Sequence, residues 1–255
     1  MTDGGNGKTQ APLYTDALGP RRSLTFLDVL LACAVTSAIV LISVIALGVV
    51  VANGGRFADM PASLAAVALL TIEPVAIFAG VYFILILRRR FDWADLGLRP
   101  MTRSWAAPAV LAALGCLIFS GAVSQVFERF YNTPMLDEYV SLLAPEGTTW
   151  QQEVALIVLI GGLVPLAEEL LFRGVLYAWL RQRWGVAVSA VVSAGLFALA
   201  HGSLRMGLQI FVTGVVLAVL YERSRSILAS TLAHMTVNTI SMVIIFSYAA
   251  HGGAV

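Results

Sequence analysis

Apolar residues in this chain come in unbroken runs, not in the alternation of a half-buried strand or the stripe of a surface helix. No charge occurs between Asp28 and Arg56, the run from Pro61 to Leu87 is interrupted by charge only at Glu73, and Ser104 to Phe127 carries none. Each run exceeds the roughly 20 residues that a helix needs to cross a hydrocarbon core. A fourth run, from Glu153 to Leu180, contains the stretch PLAEELLFRG, and the charge-free segments Trp184 to Gly202, Met206 to Tyr221 and Ile227 to Tyr248 supply three more. The pattern predicts an all-α polytopic transmembrane helical bundle of about seven spans, with six to eight compatible with the run lengths and the sixth run short for a crossing.

The polar segments set the organisation. Residues 1–25 are polar and Gly-rich, broken by Pro12 and Pro20, and read as a mobile tail. The long apolar run after Arg21 and Arg22 has no clear small-residue cleavage site, which predicts a retained anchor and not a cleaved signal peptide. Residues 26–150 then hold the first spans and an outer loop, Glu128 to Gln152, that is acidic, contains Pro134 and Pro145, and reads as an exposed connection. Residues 151–250 read as a second transmembrane core, the candidate for any catalytic role because the one apolar run with several ionisable side chains lies within it. No internal repeat is visible, which weighs against an inverted-repeat transporter.

Composition agrees with the runs: 59% of the 255 residues are hydrophobic and only 12% charged, against about a quarter charged in soluble domains. With the N-terminus cytoplasmic, the inner segments hold Lys8, Arg21, Arg22, Arg88, Arg89, Arg90, Arg99, Arg103, Arg181, Arg183, Arg223 and Arg225, and the outer ones Arg56, Arg129 and Arg205. That is a clear positive-inside bias. These basic residues form no stripe, so nucleic acid is excluded as a partner. Cys33 and Cys116 lie within apolar runs and read as core residues, not as a disulfide or metal pair.

Chemistry concentrates in the fourth run. A charge at the bilayer centre costs about 2.5–3.5 kcal/mol on insertion scales, so Glu168, Glu169 and Arg173 need partners or water. Glu169 and Arg173 are four apart on one helical face, acid first, the favourable order for an ion pair. Glu168 is rotated by about 100° and has no local counter-charge, so its partner must come from another helix. His201 closes the fifth run in FALAH, and His234 and Asn238 share one face of the seventh in HMTVN. A carboxylate, two imidazoles and a carboxamide can hold a water. Glu168 would act as general base, the histidines would orient the water, and Asn238 would donate to an oxyanion, which suggests hydrolysis of an acyl bond within the membrane.

Each residue also has a plainer reading. Glu169 with Arg173 reads first as a structural pair supporting the site, His201 could face headgroups, His234 could bond a carbonyl, and Asn238 could be interhelical glue. Glu73, before Pro74, reads as a further buried acid with no identified partner. Depth is a separate difficulty. At about 1.5 Å per residue from the inner ends, upright spans would put Glu168 roughly 18 Å in, His201 roughly 25 Å and His234 roughly 11 Å, levels that would not meet without tilt or a break at Pro165.

EELLFR (Glu168 to Arg173), FALAH (Phe197 to His201) and HMTVN (His234 to Asn238), in that order, resemble the EExxxR, FxxxH and HxxxN motifs of the CAAX-processing and bacteriocin-processing intramembrane endopeptidases, often called CPBP or ABI. DLGLRP after the second span looks like a family habit as well. The resemblance covers about the last 100 residues. It implies a helical membrane bundle that hydrolyses a peptide bond in a membrane-associated peptide or protein tail, with Glu168 as base, His201, His234 and Asn238 completing the site, and Glu169 and Arg173 in support. Whether a cofactor is present stays open. No HExxH occurs; a metal-free, glutamate-dependent site is favoured, with no ligands assigned, and the alternative is zinc on His201, His234 and Glu168. Two other classes remain: a catalytically idle membrane interaction or immunity protein, and an ion-coupled transporter using Glu73 and Glu168. Arginine at all basic positions except Lys8, with Ala-rich spans, points to a multi-pass protein of a bacterial inner membrane and an unprenylated substrate.

Overall fold

A computed structural model describes residues 23–52, 62–131, 134–143 and 148–252. The expected N-terminal tail, apart from residues 23–25, and the Arg56 loop lie outside them. The described residues form an all-α bundle: α1 (Phe26–Ala52), α2 (Ala62–Val81, continued by a π-helical stretch Tyr82–Arg88), α3 (Ala106–Tyr131), α4 (Met135–Leu143), α5 (Trp150–Arg181), α6 (Val186–Ala200), α7 (Leu204–Ser224) and α8 (Ile227–Ala250). Six of them contain stretches long and apolar enough to cross a membrane. The chain is a multi-pass membrane protein, and its outer surface fits that environment: Ile118 and Leu199, 76% and 72% exposed, would be anomalous against water and are ordinary against lipid.

The short crossing is not where the run lengths put it. Met206 to Tyr221 extends at both ends into the 21-residue α7, whereas the fifth run yields only the 15-residue α6, because Gly185 starts it late and His201 with Gly202 end it. The loop after α3 also departs from the reading as an exposed connection. Its residues Met135–Leu143 form an amphipathic helix that buries Met135, Val140 and Leu143. On its polar side Tyr248 donates to Asp137 at 2.7 Å, Arg205 to Glu138 at 3.2 Å, and the Tyr139 hydroxyl meets the Met206 sulfur. A count of charges overlooks this helix, since the apolar residues recur at helical spacing between acids.

Two features place the later helices. The segment DLGLRP docks on the turn between α7 and α8. Gly97 takes φ +88, and a Cβ there would lie 2.7 Å from the Tyr221 hydroxyl oxygen. Its carbonyl accepts from the Ile227 N–H at 2.9 Å, and Ser226 Oγ donates to the Arg99 carbonyl at 2.6 Å while capping α8 through the Leu228 N–H. The start of α8, and hence the height of His234, is fixed by a loop that carries no site residue. Beneath the site, Val29 and Ala32 of α1, Ile77 and Val81 of α2, Ala167, Leu170 and Val175 of α5, and Tyr221 of α7 share one buried apolar cluster.

Candidate active site

α5 is an unbroken but irregular helix. Pro165 does not divide it; instead π-helical stretches Leu159–Leu163 and Leu170–Tyr177 flank the α-helical Val164–Glu169. The first stretch follows from the proline. The Val164 N–H pairs with the Leu159 carbonyl in π fashion, so the Ile160 carbonyl has lost its α-helical donor, and its π-helical donor would be Pro165, which has no N–H. Asn238 supplies the missing group: its Nδ2–H donates to the Ile160 carbonyl at 3.0 Å. Close approach is needed for this, and Gly161 allows it, since a Cβ there would stand 2.5 Å from Thr239 Oγ1. One of the two carboxamide N–H groups of Asn238 is therefore committed to structure.

Glu169 and Arg173 form the i,i+4 pair that their spacing suggests, with Arg173 Nη1 donating to Glu169 Oε1 at 2.8 Å and both side chains fully buried. Arg173 reaches further than its own helix. Its Nη2 donates to the Gly214 carbonyl of α7 at 3.0 Å, and its guanidinium carbon lies 4.8 Å from the centroid of the Phe197 ring of α6. His234 Nδ1 stands 3.2 Å from the same Glu169 Oε1. A carboxylate oxygen can only accept, so Nδ1 carries a proton toward Glu169 and the ring turns its Nε2 toward Glu168.

His201 is held the same way round. Its Nδ1 donates to the Phe197 carbonyl at 2.8 Å, leaving Nε2 as an acceptor. Both Nε2 atoms face Glu168: His201 Nε2 is 3.8 Å from Oε1 and His234 Nε2 is 3.6 Å from Oε2. These separations are too long for direct hydrogen bonds. Acceptors converging at such distances call for a donor among them, and a water has the two O–H groups required. The cluster is closed on most sides, with the Glu168 and His234 side chains 6% and 5% exposed, and open at His201, 31% exposed.

The structure thus brings Glu168, Glu169, Arg173, His201 and His234 into one cluster, with Asn238 one helical turn beyond His234 and bonded to the Ile160 carbonyl. The depth arithmetic assumed upright, regular helices with level starts. Contact between side chains at those positions means that the helix axes are inclined or begin at different heights, and α5, at 32 residues, is too long to cross upright. Sequence reasoning quoted Phe197 as the first residue of FALAH but gave no role to its ring, which is buried and packs edge-on against His201 at 4.7 Å and His234 at 5.7 Å, and it did not point to the carbonyls of Ile160 and Gly214. Only the proline at 165 hinted at the first of these carbonyls. Glu73 is accessible on α2 and not buried as expected. Among the described residues no group of three or more His, Cys, Asp and Glu side chains is arranged to hold a metal ion, so no ligand set is assigned.

Residues 150–240 match the family model described as "Type II CAAX prenyl endopeptidase Rce1-like". A Bacillus subtilis (strain 168) protein named "Putative membrane peptidase YdiL" is 27% identical over 93 residues, which are 36% of this chain and 38% of that protein. The match therefore spans well under half the length of that relative. No solved structure matches the chain. The matched segment holds Glu168, Glu169, Arg173, His201, His234 and Asn238, and over residues 150–240 this chain is similar to CAAX-protease-like membrane proteins.

Proposed function

We infer that this protein is an intramembrane endopeptidase that hydrolyses a peptide bond in a membrane-associated peptide or protein tail, unprenylated, in a bacterial inner membrane. One observation carries the reading: Glu168, enclosed within a membrane-spanning bundle, is flanked by the Nε2 atoms of two imidazoles at 3.8 and 3.6 Å and receives no direct hydrogen bond from the described residues. A purely structural carboxylate at that depth would be expected to have a donor. The matches to a CAAX-type endopeptidase model and to a peptidase-named relative point the same way.

The chemistry follows from the hydrogen-bond roles. A water bound between Glu168 and the two Nε2 atoms gives one proton to Glu168 as its oxygen attacks the scissile carbonyl carbon. The carbonyl oxygen takes up the negative charge of the tetrahedral intermediate, and the free N–H of Asn238, on the same helical face as His234, is the donor available to it. Collapse of the intermediate breaks the C–N bond, and Glu168 returns its proton to the departing amine. Water is consumed and an acid and an amine leave. His201 and His234 orient the water, while Glu169 and Arg173 fix the tautomer and position of His234.

The test is a comparison of membrane proteomes from cells carrying the wild-type protein or Glu168→Ala at equal abundance. Peptides or protein tails that are trimmed only in the wild type, and whose new termini are reproduced by the purified protein, are the expected result. Identical terminal-peptide profiles, together with no cleavage of any apolar peptide by the purified chain, would refute the reading.

A further inference from the structure

The second half of α2 is apolar on two sides, and protein covers only one of them. Ile77, Val81 and Leu85 lie in the buried cluster beneath the site, packed with residues of α1 and α5. Phe78, Ala79, Tyr82 and Phe83 fall on a different side of the helix, and with Trp93 of the following loop they line a groove of about 370 Å³. Tyr82, Phe83 and Trp93 are exposed there. The Trp93 ring stacks on that of Tyr82, with centroids 6.4 Å apart and planes at 16°. The loop fixes the tryptophan: the Leu98 N–H donates to the Trp93 carbonyl at 3.0 Å, the Asp92 N–H donates to Asp95 Oδ2 at 2.9 Å, and Leu96 is fully buried.

Depth and charge define what fits. Phe78 to Phe83 belong to the apolar span Val67–Arg88. At about 1.5 Å per residue they stand roughly 8 to 15 Å from Arg88, within the ~15 Å that one leaflet contributes to a hydrocarbon core. Arginines gather at that end of the span. Arg88, Arg89 and Arg90 are consecutive, and Arg99 is tied beside Trp93, its Nε donating to the Ala94 carbonyl at 2.7 Å, with no acid among the described residues paired to its guanidinium. Carboxylates are fewer: Asp28 is shared by Arg88 at 3.3 Å and Arg89 at 3.1 Å, and the loop adds Asp92 and Asp95. An aromatic slot of one leaflet's depth below a net positive rim, with a tyrosine and a tryptophan near headgroup level, matches an acyl chain that carries an anionic phosphate. A peptide segment is the poorer fit, because its backbone N–H and C=O groups would go unpaired on the lipid side of the helix.

We propose that this groove is a binding site for an anionic phospholipid, with one acyl chain against Phe78, Tyr82, Phe83 and Trp93 and the phosphate on Arg99 at the rim. The site is separate from the cluster around Glu168 and does not depend on whether that cluster cleaves peptides.

The experiment uses the full chain in detergent micelles and phospholipids brominated on one acyl chain, which quench tryptophan fluorescence on contact. Brominated phosphatidylglycerol should quench saturably, and the quenched component should be missing from Trp93→Phe. It should bind roughly fivefold more tightly than brominated phosphatidylcholine, the effect of about one basic residue on the attraction of an anionic lipid. Arg99→Gln should weaken phosphatidylglycerol binding by about the same factor, and Arg99→Lys, which keeps the charge, should stay within about twofold of the wild type. Ala79→Phe fills the groove and leaves every charge in place; it should abolish the quenching at Trp93, and it keeps the test decisive if the arginine variants do not fold. Equal binding of the two lipids, unchanged binding in Arg99→Gln, or saturable quenching retained in Ala79→Phe overturns the proposal. Displacement of the brominated lipid by a neutral apolar peptide as readily as by unlabelled phosphatidylglycerol overturns it too, because the groove would then be taking peptide.

Discussion

Two acidic residues, each tied to three helices or turns, show how differently this bundle treats its carboxylates. Glu222, in the last turn of α7, is surrounded by donors: the Tyr177 hydroxyl at 2.8 Å, Arg181 Nε and Nη2 at 3.3 Å, and Arg225 Nη2 at 3.6 Å. Glu168, deeper in the bundle, has two imidazole Nε2 atoms at 3.6 and 3.8 Å and no direct hydrogen bond from the described residues. The first arrangement saturates a carboxylate and joins α5 to α7. The second leaves one carboxylate with acceptors for neighbours, an arrangement stable only around a water or another donor. Burial alone does not distinguish the two, and the sign of the hydrogen-bond partners does.

The same conservative substitution at both positions gives the largest expected contrast. Glu168→Gln keeps the shape of the side chain but removes the proton acceptor, and turnover should fall by about 10²–10⁴, the usual contribution of a general base. Glu222→Gln should leave turnover within about threefold and cost only stability, on the scale of one charge-assisted hydrogen bond, roughly 1.5–3 kcal/mol. Both variants should purify as helical, monodisperse protein. If Glu168→Gln keeps more than a tenth of wild-type turnover, the contrast between the two carboxylates has no chemical meaning.

Glu169 is the intermediate case, saturated at one oxygen by Arg173 and His234 and with no hydrogen-bond partner at Oε2 among the described residues. Arg173→Ala strands this buried charge and frees the Gly214 carbonyl, so the expected loss is about 3–5 kcal/mol, read as reduced abundance and a lower unfolding temperature. The pair of changes Glu169→Gln and Arg173→Met should recover most of that abundance, because no uncompensated charge then remains. Failure to recover would mean that Arg173 is held chiefly by the Gly214 carbonyl and the Phe197 ring, and not by its acid partner.

Asn238 divides its two N–H groups between structure and the proposed chemistry, and the two can be separated. Asn238→Ala leaves the Ile160 carbonyl unpaired, for a stability loss of about 1–3 kcal/mol. Adding Pro165→Ala supplies an N–H five residues after Ile160, which can take over that carbonyl within the helix. Thermal stability should return in the double variant while turnover stays low. Recovery of both would assign Asn238 to structure alone.

Much of this was legible in the sequence, for identifiable reasons. Lipid imposes long charge-free runs, so the membrane bundle and most of its helices could be read from where the charges fall. The i,i+4 spacing gave the Glu169–Arg173 pair, and the lack of a local counter-charge pointed Glu168 to other helices. What could not be read depends on the backbone in three dimensions. The π-helical stretches of α5 arise from a proline whose effect, kink or bulge, is decided by whether a neighbouring helix can satisfy the orphaned carbonyl, and Asn238 does so from 78 residues away. α6 is short because its ends are set by Gly185 and Gly202, not by its apolar length, and the height of His234 depends on the docking of Gly97 under Tyr221. Glu73 was misread as buried because a sequence shows a span but not which side of the helix is left uncovered.

The smallest expected effect is that of a chelator, and it bears directly on why Glu168 lacks a donor. Zinc would also satisfy converging acceptors, with nitrogen and oxygen ligands near 2.0–2.2 Å and an open position for water. In that case His201, His234 and Glu168 would be ligands, the loaded protein would hold stoichiometric zinc, and chelation would remove metal and turnover together, both restored by adding the ion. A bound water makes the opposite demand, since the proton taken by Glu168 then comes from a water oriented by hydrogen bonds alone. The Nε2 atoms of both histidines need only accept hydrogen bonds in that arrangement, and the donors at their Nδ1 positions, to Phe197 and Glu169, already fix them in that role. The protein purified in detergent should therefore contain well under one equivalent of zinc by elemental analysis and keep its turnover in chelator. His201→Ala should slow the reaction with no change in metal content. Loss of activity in chelator that zinc restores would make the two imidazoles metal ligands and would replace the bound water with a metal-bound one as the reason that no donor reaches Glu168.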